Sequence, residues 1–286
     1  MNQLFILMQY LLPKHLLSRG VHWLTRCESA GVKDGLINAF MNHFKPEMSD
    51  AVEPRPNSYA SFNAFFTRAL RPESRVVAPE AEALVSPVDG AVSEAGRIDG
   101  SKLLQAKGHH YTLQTLLSGA APWASRFTNG QFATIYLAPF NYHRIHMPCD
   151  GTLREAWYVP GDLFSVNAVT AQIVPNLFAR NERVILVFDG KFSSFTVVLV
   201  GALFVGSMTT VWHGEISPGH ARRVTQLPLA TRDAPLFLAK GAELGRFNMG
   251  STVVLLFEPG DATLQDDIRA GRVVRMGERL GGLRLG

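Results

Sequence analysis

The sequence predicts an α+β protein: a helical N-terminal region followed by a mainly β, barrel-sandwich-like body. Three observations predict it. Apolar residues recur at helical spacing as far as Leu70; beyond residue 80 the chain breaks into short β-branched runs punctuated by Gly, Asp and Pro; and two Asp-Gly pairs each open such a run. With 286 residues, 47% of them hydrophobic and 18% charged, the chain can bury a substantial core. We divide it into a helical region, 1–75, and a β-rich domain, 76–286.

The first element is an apolar run from Leu4 to Leu12, interrupted by Gln9. Leu4, Leu7/Met8 and Leu11/Leu12 fall at helical spacing, and Lys14, His15, Arg19 and Arg26 follow. The run is too short to span a bilayer. Such a helix can lie in a membrane interface, apolar face in the acyl boundary and cations at headgroups, or it can pack on the body; these residues alone leave both readings open. Met1-Asn2-Gln3 carries no cation and no small-residue cleavage site follows, so the run does not read as a secretory signal. After Pro13, helical patterns cover Leu16–Ala30, Val32–Phe44 and Ser58–Leu70. The last places Phe62, Phe65, Phe66 and Leu70 on one face and ends at Arg71-Pro72.

Strands are predicted at Phe132–Leu137, Thr152–Val159, Arg183–Phe188, Phe195–Gly201, Leu203–Val211 and Thr252–Phe257. The apolar stretch Phe195–Val205 reads as buried strands rather than a membrane helix, because Gly201 and β-branched residues interrupt it. Pro87-Val88-Asp89-Gly90-Ala91-Val92 echoes Pro148-Cys149-Asp150-Gly151-Thr152-Leu153, each placing Asp-Gly before a strand, where glycine tolerates a positive φ. Such strand starts recur in barrel-sandwich folds, including biotinyl and lipoyl carriers.

A net charge of +4 with no long Lys/Arg run does not point to nucleic acid. Cys27 and Cys149 form no CxxC pair, which excludes a disulfide framework and a cysteine zinc site and fits reduced thiols in a cytoplasmic protein.

Three segments can carry chemistry. Lys240–Thr252 reads strand, turn, strand, with Gly250-Ser251 on the turn. Gly250 leaves its carbonyl carbon open to attack and tolerates strained dihedrals, and the Ser251 hydroxyl can reach that carbonyl for an N-to-O acyl shift if a base activates it. Gly-Ser-Thr by itself is also an ordinary turn tripeptide. Pro139–Pro148 holds His143 and His146 three apart with Arg144 between. No third ligand of suitable spacing follows, so acid–base work is the better reading than a metal site. Arg144 can meet an anion or simply be solvated. Ser86-Pro87-Val88-Asp89-Gly90 supplies Asp89, which can be a turn residue or the carboxylate that orients an imidazole.

Together these segments resemble the pyruvoyl-dependent phosphatidylserine decarboxylases, in particular the bacterial membrane-associated type. The likeness runs through Phe62–Leu70, Ser86–Gly90, Tyr142–Pro148, Val159–Asn167, Val200-Gly201-Ala202 with Val205-Gly206-Ser207, and Lys240–Thr252, in the family's order. The family's processing motif is usually Leu-Gly-Ser-Thr; Met249 replaces the first residue here, a volume-conserving change. By position the resemblance puts an Asp–His–Ser triad on Asp89, His146 and Ser251 and implicates His143 in decarboxylation. It implies self-cleavage at Gly250-Ser251 into a β chain, Met1–Gly250, and an α chain, 251–286. The covalent pyruvoyl cofactor derived from Ser251 would then form a Schiff base with the amine of phosphatidylserine as CO2 leaves. Arg144 is a candidate for placing the substrate's carboxylate.

A lipid substrate favours interfacial docking by residues 1–45, hence a peripheral position on the cytoplasmic side of the cell membrane. The resemblance also suggests a homodimer, and Gly161–Asn167 is a candidate mobile loop near the site. Two rivals are weaker. A serine hydrolase using the same triad lacks a G-x-S-x-G elbow, and a barrel-sandwich binding module lacks the lysine turn that biotin or lipoate requires.

Overall fold

The computed structural model describes residues 9–10, 12–106, 108–203, 207–216, 221–229 and 235–284. Most of the expected run Leu4–Leu12 therefore lies outside the described residues, as do 204–206 of the expected strand Leu203–Val211.

Among the described residues the helices that precede the β body include α1 (Lys14–Thr25), α2 (Ala30–Phe44) and α3 (Phe62–Phe66). Helix α3 is far shorter than the pattern over Ser58–Leu70 implied. Pro56–Ser58 forms a 3-10 turn, Ser61 Oγ caps α3 by accepting from Ala64 N, and Thr67 leaves the helical region. The aromatic stripe is there for packing: Phe62, Phe65 and Phe66 are buried with Ile37 and Phe40 of α2.

The strands that matter for the site are β1 (Gly90–Arg97), β2 (Gln131–Tyr136), β3 (Arg144–His146), β4 (Gly151–Val159), β5 (Arg183–Asp189), β6 (Ser194–Val200), β7 (Met208–Thr210), β8 (Gly214–Ile216), β9 (Glu243–Phe247) and β10 (Thr252–Phe257). The main sheet runs Thr225–Gln226, β4, β5, β6, β10, β2, β1, Val273–Val274, and a smaller sheet runs β8, β7, β9, β3. The helical N-terminal region and β body are as expected, while the sheets stay open and no barrel closes among the described residues.

The central strands carry unbroken apolar runs because the main sheet is covered on both faces. Leu186, Leu199, Val253 and Leu255 belong to one core; their neighbours Ile185, Val198, Val254 and Leu256 belong to another. Gly90 and Gly151 do open β1 and β4, but not through positive φ. A Cβ at Gly90 would lie 2.4 Å from the Tyr136 carbonyl oxygen, and one at Gly151 would lie 2.7 Å from the Phe195 ring, so close approach is what requires glycine.

Residues near the N-terminus pack on the body. Gln9 Oε1 accepts from Ser165 N at 2.8 Å, Tyr10 meets the Phe164 ring edge-on, and Lys14 Nζ sits 3.5 Å over that ring. The segment Gly161–Asn167 lies against these residues, with Asn181 bonding both N and O of Phe164.

Candidate active site

Strand pairing brings the three chemical segments together. β9 pairs with β3, setting Glu243 opposite His146 and Arg246 opposite Arg144, and Phe247 N donates to the His143 carbonyl. His146 N donates to the Pro87 carbonyl, which draws in the segment that ends at Asp89. After β9 the chain turns through Asn248–Ser251 into β10, the strand between β6 and β2. Leu137 N donates to the Ser251 carbonyl at 2.9 Å, so the Gly250-Ser251 bond lies at the end of the main sheet's central strand.

Ser251 is fully buried and its Oγ has no hydrogen-bond partner. A buried hydroxyl left unpaired is unfavourable. Gly250 has no positive φ. A Cβ there would meet only Leu137 O at 3.4 Å and His143 Cε1 at 3.5 Å, ordinary contacts, so its role is openness beside His143 rather than strain.

His143 is the imidazole nearest this bond among the contacts of Gly250. Its ring stacks on Phe66 with centroids 4.1 Å apart. Nε2 lies 3.3 Å from the Pro139 carbonyl, which can only accept, so Nε2 carries the proton and the unpartnered Nδ1 keeps its lone pair. His146 has the opposite tautomer. Its Nδ1 donates to the Gly241 carbonyl at 2.8 Å, and Nε2 accepts from Tyr142 Oη at 3.0 Å. Burial raises the Tyr142 pKa, which keeps that phenol a donor.

Asp89 is buried, and its oxygens are held by Arg75 Nε (2.9 Å), Arg75 Nη2 and Met276 N (2.9 Å). Arg75 in turn bonds Asp50 at 2.8 Å. The His146 Nδ1 bond thus goes to a carbonyl and not to Asp89 as expected; burial lowers the His146 pKa, and the Gly241 bond and Glu243 counter it more than the charge of Asp89 does. Arg144 pairs with Glu243 at 2.9 Å and donates from Nε to the Thr67 carbonyl, leaving it less free for a substrate carboxylate than an exposed arginine. Sequence reasoning did not single out Tyr142, Gly241, Arg75 or Phe66. Tyr142 stood within the histidine segment, Phe66 within the aromatic stripe and Gly241 within the Lys240–Thr252 segment, but Arg75 gave no local signal.

An apolar cavity of about 270 Å³ opens on Gly250, lined by Phe40, Phe44, Phe66, Leu137 and Met249. Met249 also packs on two cores, so its bulk serves where the family's leucine would. Ser165 and Val166 form part of the far wall, which places Gly161–Asn167 at the site.

Burial pushes the His143 pKa down to about 3 and lowers that of His146. In the unfolded chain both rings take up protons near pH 6.5, whereas the folded chain keeps them neutral. Stability is therefore present above pH 6.5 and is lost as pH falls below it. For His143 alone the loss at pH 5 is about 2 kcal/mol. We expect a lower urea midpoint at pH 5 than at pH 7.5; an equal or higher midpoint at pH 5 would refute this.

Residues 62–282 match the family model described as phosphatidylserine decarboxylase, and residues 4–45 match a second model described as PSD. The chain is 48% identical over 280 residues to the phosphatidylserine decarboxylase proenzyme of Shewanella frigidimarina, covering 97% of each. It is 49% identical to that of Methylibium petroleiphilum, covering 98% of this chain and 97% of the relative. It is 50% identical to that of Pseudoalteromonas atlantica, covering 94% and 96%.

Proposed function

The chain belongs to the phosphatidylserine decarboxylase family and is a decarboxylase, and from that premise we propose that it cleaves itself at Gly250-Ser251 and uses the resulting pyruvoyl group to convert phosphatidylserine to phosphatidylethanolamine and CO2. The observation that carries the reading is the buried, unpartnered Ser251 hydroxyl at the end of the central strand, beside His143 and an apolar cavity.

In the cleavage step His146 Nε2 takes the Ser251 Oγ proton, released from Tyr142 as it does so. The Asp89 charge favours the imidazolium that forms. Oγ attacks the Gly250 carbonyl carbon, the C–N bond breaks, and an ester remains. Loss of the Ser251 α-proton expels the Gly250 carboxylate and leaves dehydroalanine, which tautomerises and hydrolyses to pyruvoyl with release of ammonia. The products are residues 1–250 and 251–286. When present, the pyruvoyl group supplies a carbonyl electron sink for decarboxylation of a bound amine.

The remaining work falls to side chains already in place. The apolar cavity takes acyl chains and excludes water. His143, beside Gly250, is placed to return a proton to the substrate α-carbon, one it takes up within the reaction because burial keeps the resting ring neutral. A second reading has a specific observation in its favour: His143 Nδ1 is unpartnered whereas His146 Nε2 is occupied, so His143 can serve as the cleavage base as well. Release of CO2 from phosphatidylserine by the cleaved protein, and its loss when Ser251 is replaced, tests the whole reading.

We place the protein peripherally on an anionic membrane. No described helix is long and apolar enough to cross one. Helix α1 turns Lys14, Ser18 and Thr25 inward and exposes Leu16 (62%) and Trp23 (74%), the reverse of an ordinary surface helix. Replacing both Leu16 and Trp23 by Asp should weaken sedimentation with phosphatidylglycerol liposomes at least tenfold (about 1.5–3 kcal/mol per buried side chain). Unchanged sedimentation would remove α1 from the docking surface.

A further inference from the structure

Among the described residues two arginines are buried without a carboxylate, and they differ. Arg183 gives hydrogen bonds to Leu116 O, Thr115 O, Ala179 O, Asn181 O and Ser118 Oγ, which fully accounts for a structural guanidinium. Arg68 is only 3% exposed, yet Nη2 reaches nothing better than the Glu47 and Phe140 carbonyls, both at 3.4 Å. Its Nε and Nη1 have no partner. Three acids line the same cavity: Asp50 and Asp89 are matched by Arg75, and the Glu47 carboxylate accepts from Ser49 N, so that Arg68 meets only the Glu47 carbonyl. A buried charge left this way is unfavourable until an anion joins it.

The position says which anion. Arg68 lines a polar cavity of about 270 Å³ with Arg75, Asp89 and Tyr142. Two residues before it, Phe66 lines the apolar cavity at Gly250 and stacks on His143. Pro139 borders the apolar cavity and Phe140 the polar one. The segments 66–68 and 139–140 are therefore the wall between a place for acyl chains and an unmatched cation.

We propose that Arg68 is the specificity-determining residue that binds the phosphodiester of the phospholipid head. The inference rests on the phospholipid-decarboxylase reading above. Of the substrate's two anions the phosphodiester is the better partner. A cation on the carboxylate would stabilise it before CO2 leaves more than in the transition state, where that charge has moved away. The phosphodiester keeps its charge throughout, and its paired oxygens suit the guanidinium fork.

The test uses the self-cleaved full-length protein, dihexanoyl phosphatidylserine as substrate and dihexanoyl phosphatidylethanolamine as product ligand. The product retains the phosphodiester and lacks the carboxylate. In Arg68→Met, with cleavage verified by intact mass, KM for substrate and the calorimetric Kd for product should both rise about 10- to 100-fold, the range for one lost charge-assisted contact. Arg68→Lys should recover part of both. A rise in KM alone would assign Arg68 to the carboxylate and overturn the proposal, as would unchanged constants. If Arg68→Met does not self-cleave, Arg68→Lys takes its place in the same two measurements; failure of both variants to self-cleave would assign Arg68 to folding and also overturn it. An unaltered protein that releases no CO2 would instead defeat the function reading itself.

Discussion

Ser251→Ala should remain a single chain of 286 residues with no decarboxylase activity, while the unaltered protein separates into fragments of residues 1–250 and 251–286. The structure makes this a clean substitution. Ser251 Oγ has no partner, so removing it leaves no other group unsatisfied. The backbone bond from Leu137 N to the Ser251 carbonyl is untouched, and the β-carbon still fills the buried position. A stability change within about 1 kcal/mol is expected. Loss of cleavage can then be ascribed to the missing nucleophile and not to unfolding, and loss of activity to a carbonyl that never forms. Denaturing electrophoresis with intact mass reads both chains, and the smaller fragment of the unaltered protein should have a blocked N-terminus. An uncut yet active unaltered protein would end the proenzyme reading in favour of a serine hydrolase, which stays whole with or without Ser251.

The strands were legible wherever burial on both faces left an unbroken β-branched run. Arg183–Asp189 and Thr252–Phe257 are of this kind, and the observed bounds differ from expectation by little. The pattern misled where periodicity had another cause. Phe62, Phe65 and Phe66 sit at helical spacing because one face meets Phe40, yet the helix they form spans Phe62–Phe66 alone. Of Leu203–Val211, a strand forms only over Met208–Thr210 among the described residues. Arg144–His146 reads as turn-rich segment in sequence and is a strand only because β9 pairs with it from a hundred residues away.

The chemistry of the site followed the same division. The types His143, His146, Asp89 and Ser251 were visible because each stands in a short, recognisable segment. Their partners were not, since hydrogen bonds to Gly241 O, Tyr142 Oη and Arg75 are set by the tertiary fold. Nor could sequence show that Arg68 lacks a partner, because an unsatisfied group is defined only by everything packed around it.

Replacing the two histidines one at a time should separate the steps they serve. His143→Ala is expected to cleave itself normally and then decarboxylate about 10²–10⁴-fold more slowly, the range for removing a general acid–base group. His146→Ala is expected to stay uncut and so to be inactive. The geometry makes the comparison informative because the rings hold opposite tautomers. His143 presents an unpaired Nδ1 next to Gly250, and His146 presents an Nε2 that Tyr142 occupies. If the vacant nitrogen is what matters for cleavage, the outcomes reverse: His143→Ala stays whole and His146→Ala is cut. Circular dichroism of each variant excludes misfolding as the cause. Tyr142→Phe sharpens the contrast. It strips the donor from His146 Nε2 without changing ring volume, so it should speed cleavage if His146 is the base and leave cleavage unchanged if His143 is. Because burial holds the His143 pKa near 3, protonation of that ring cannot be what limits either step between pH 5 and 8. A fall in cleavage rate as the pH drops toward 5 would instead point to His146, whose pKa burial lowers and the Gly241 hydrogen bond and Glu243 partly restore.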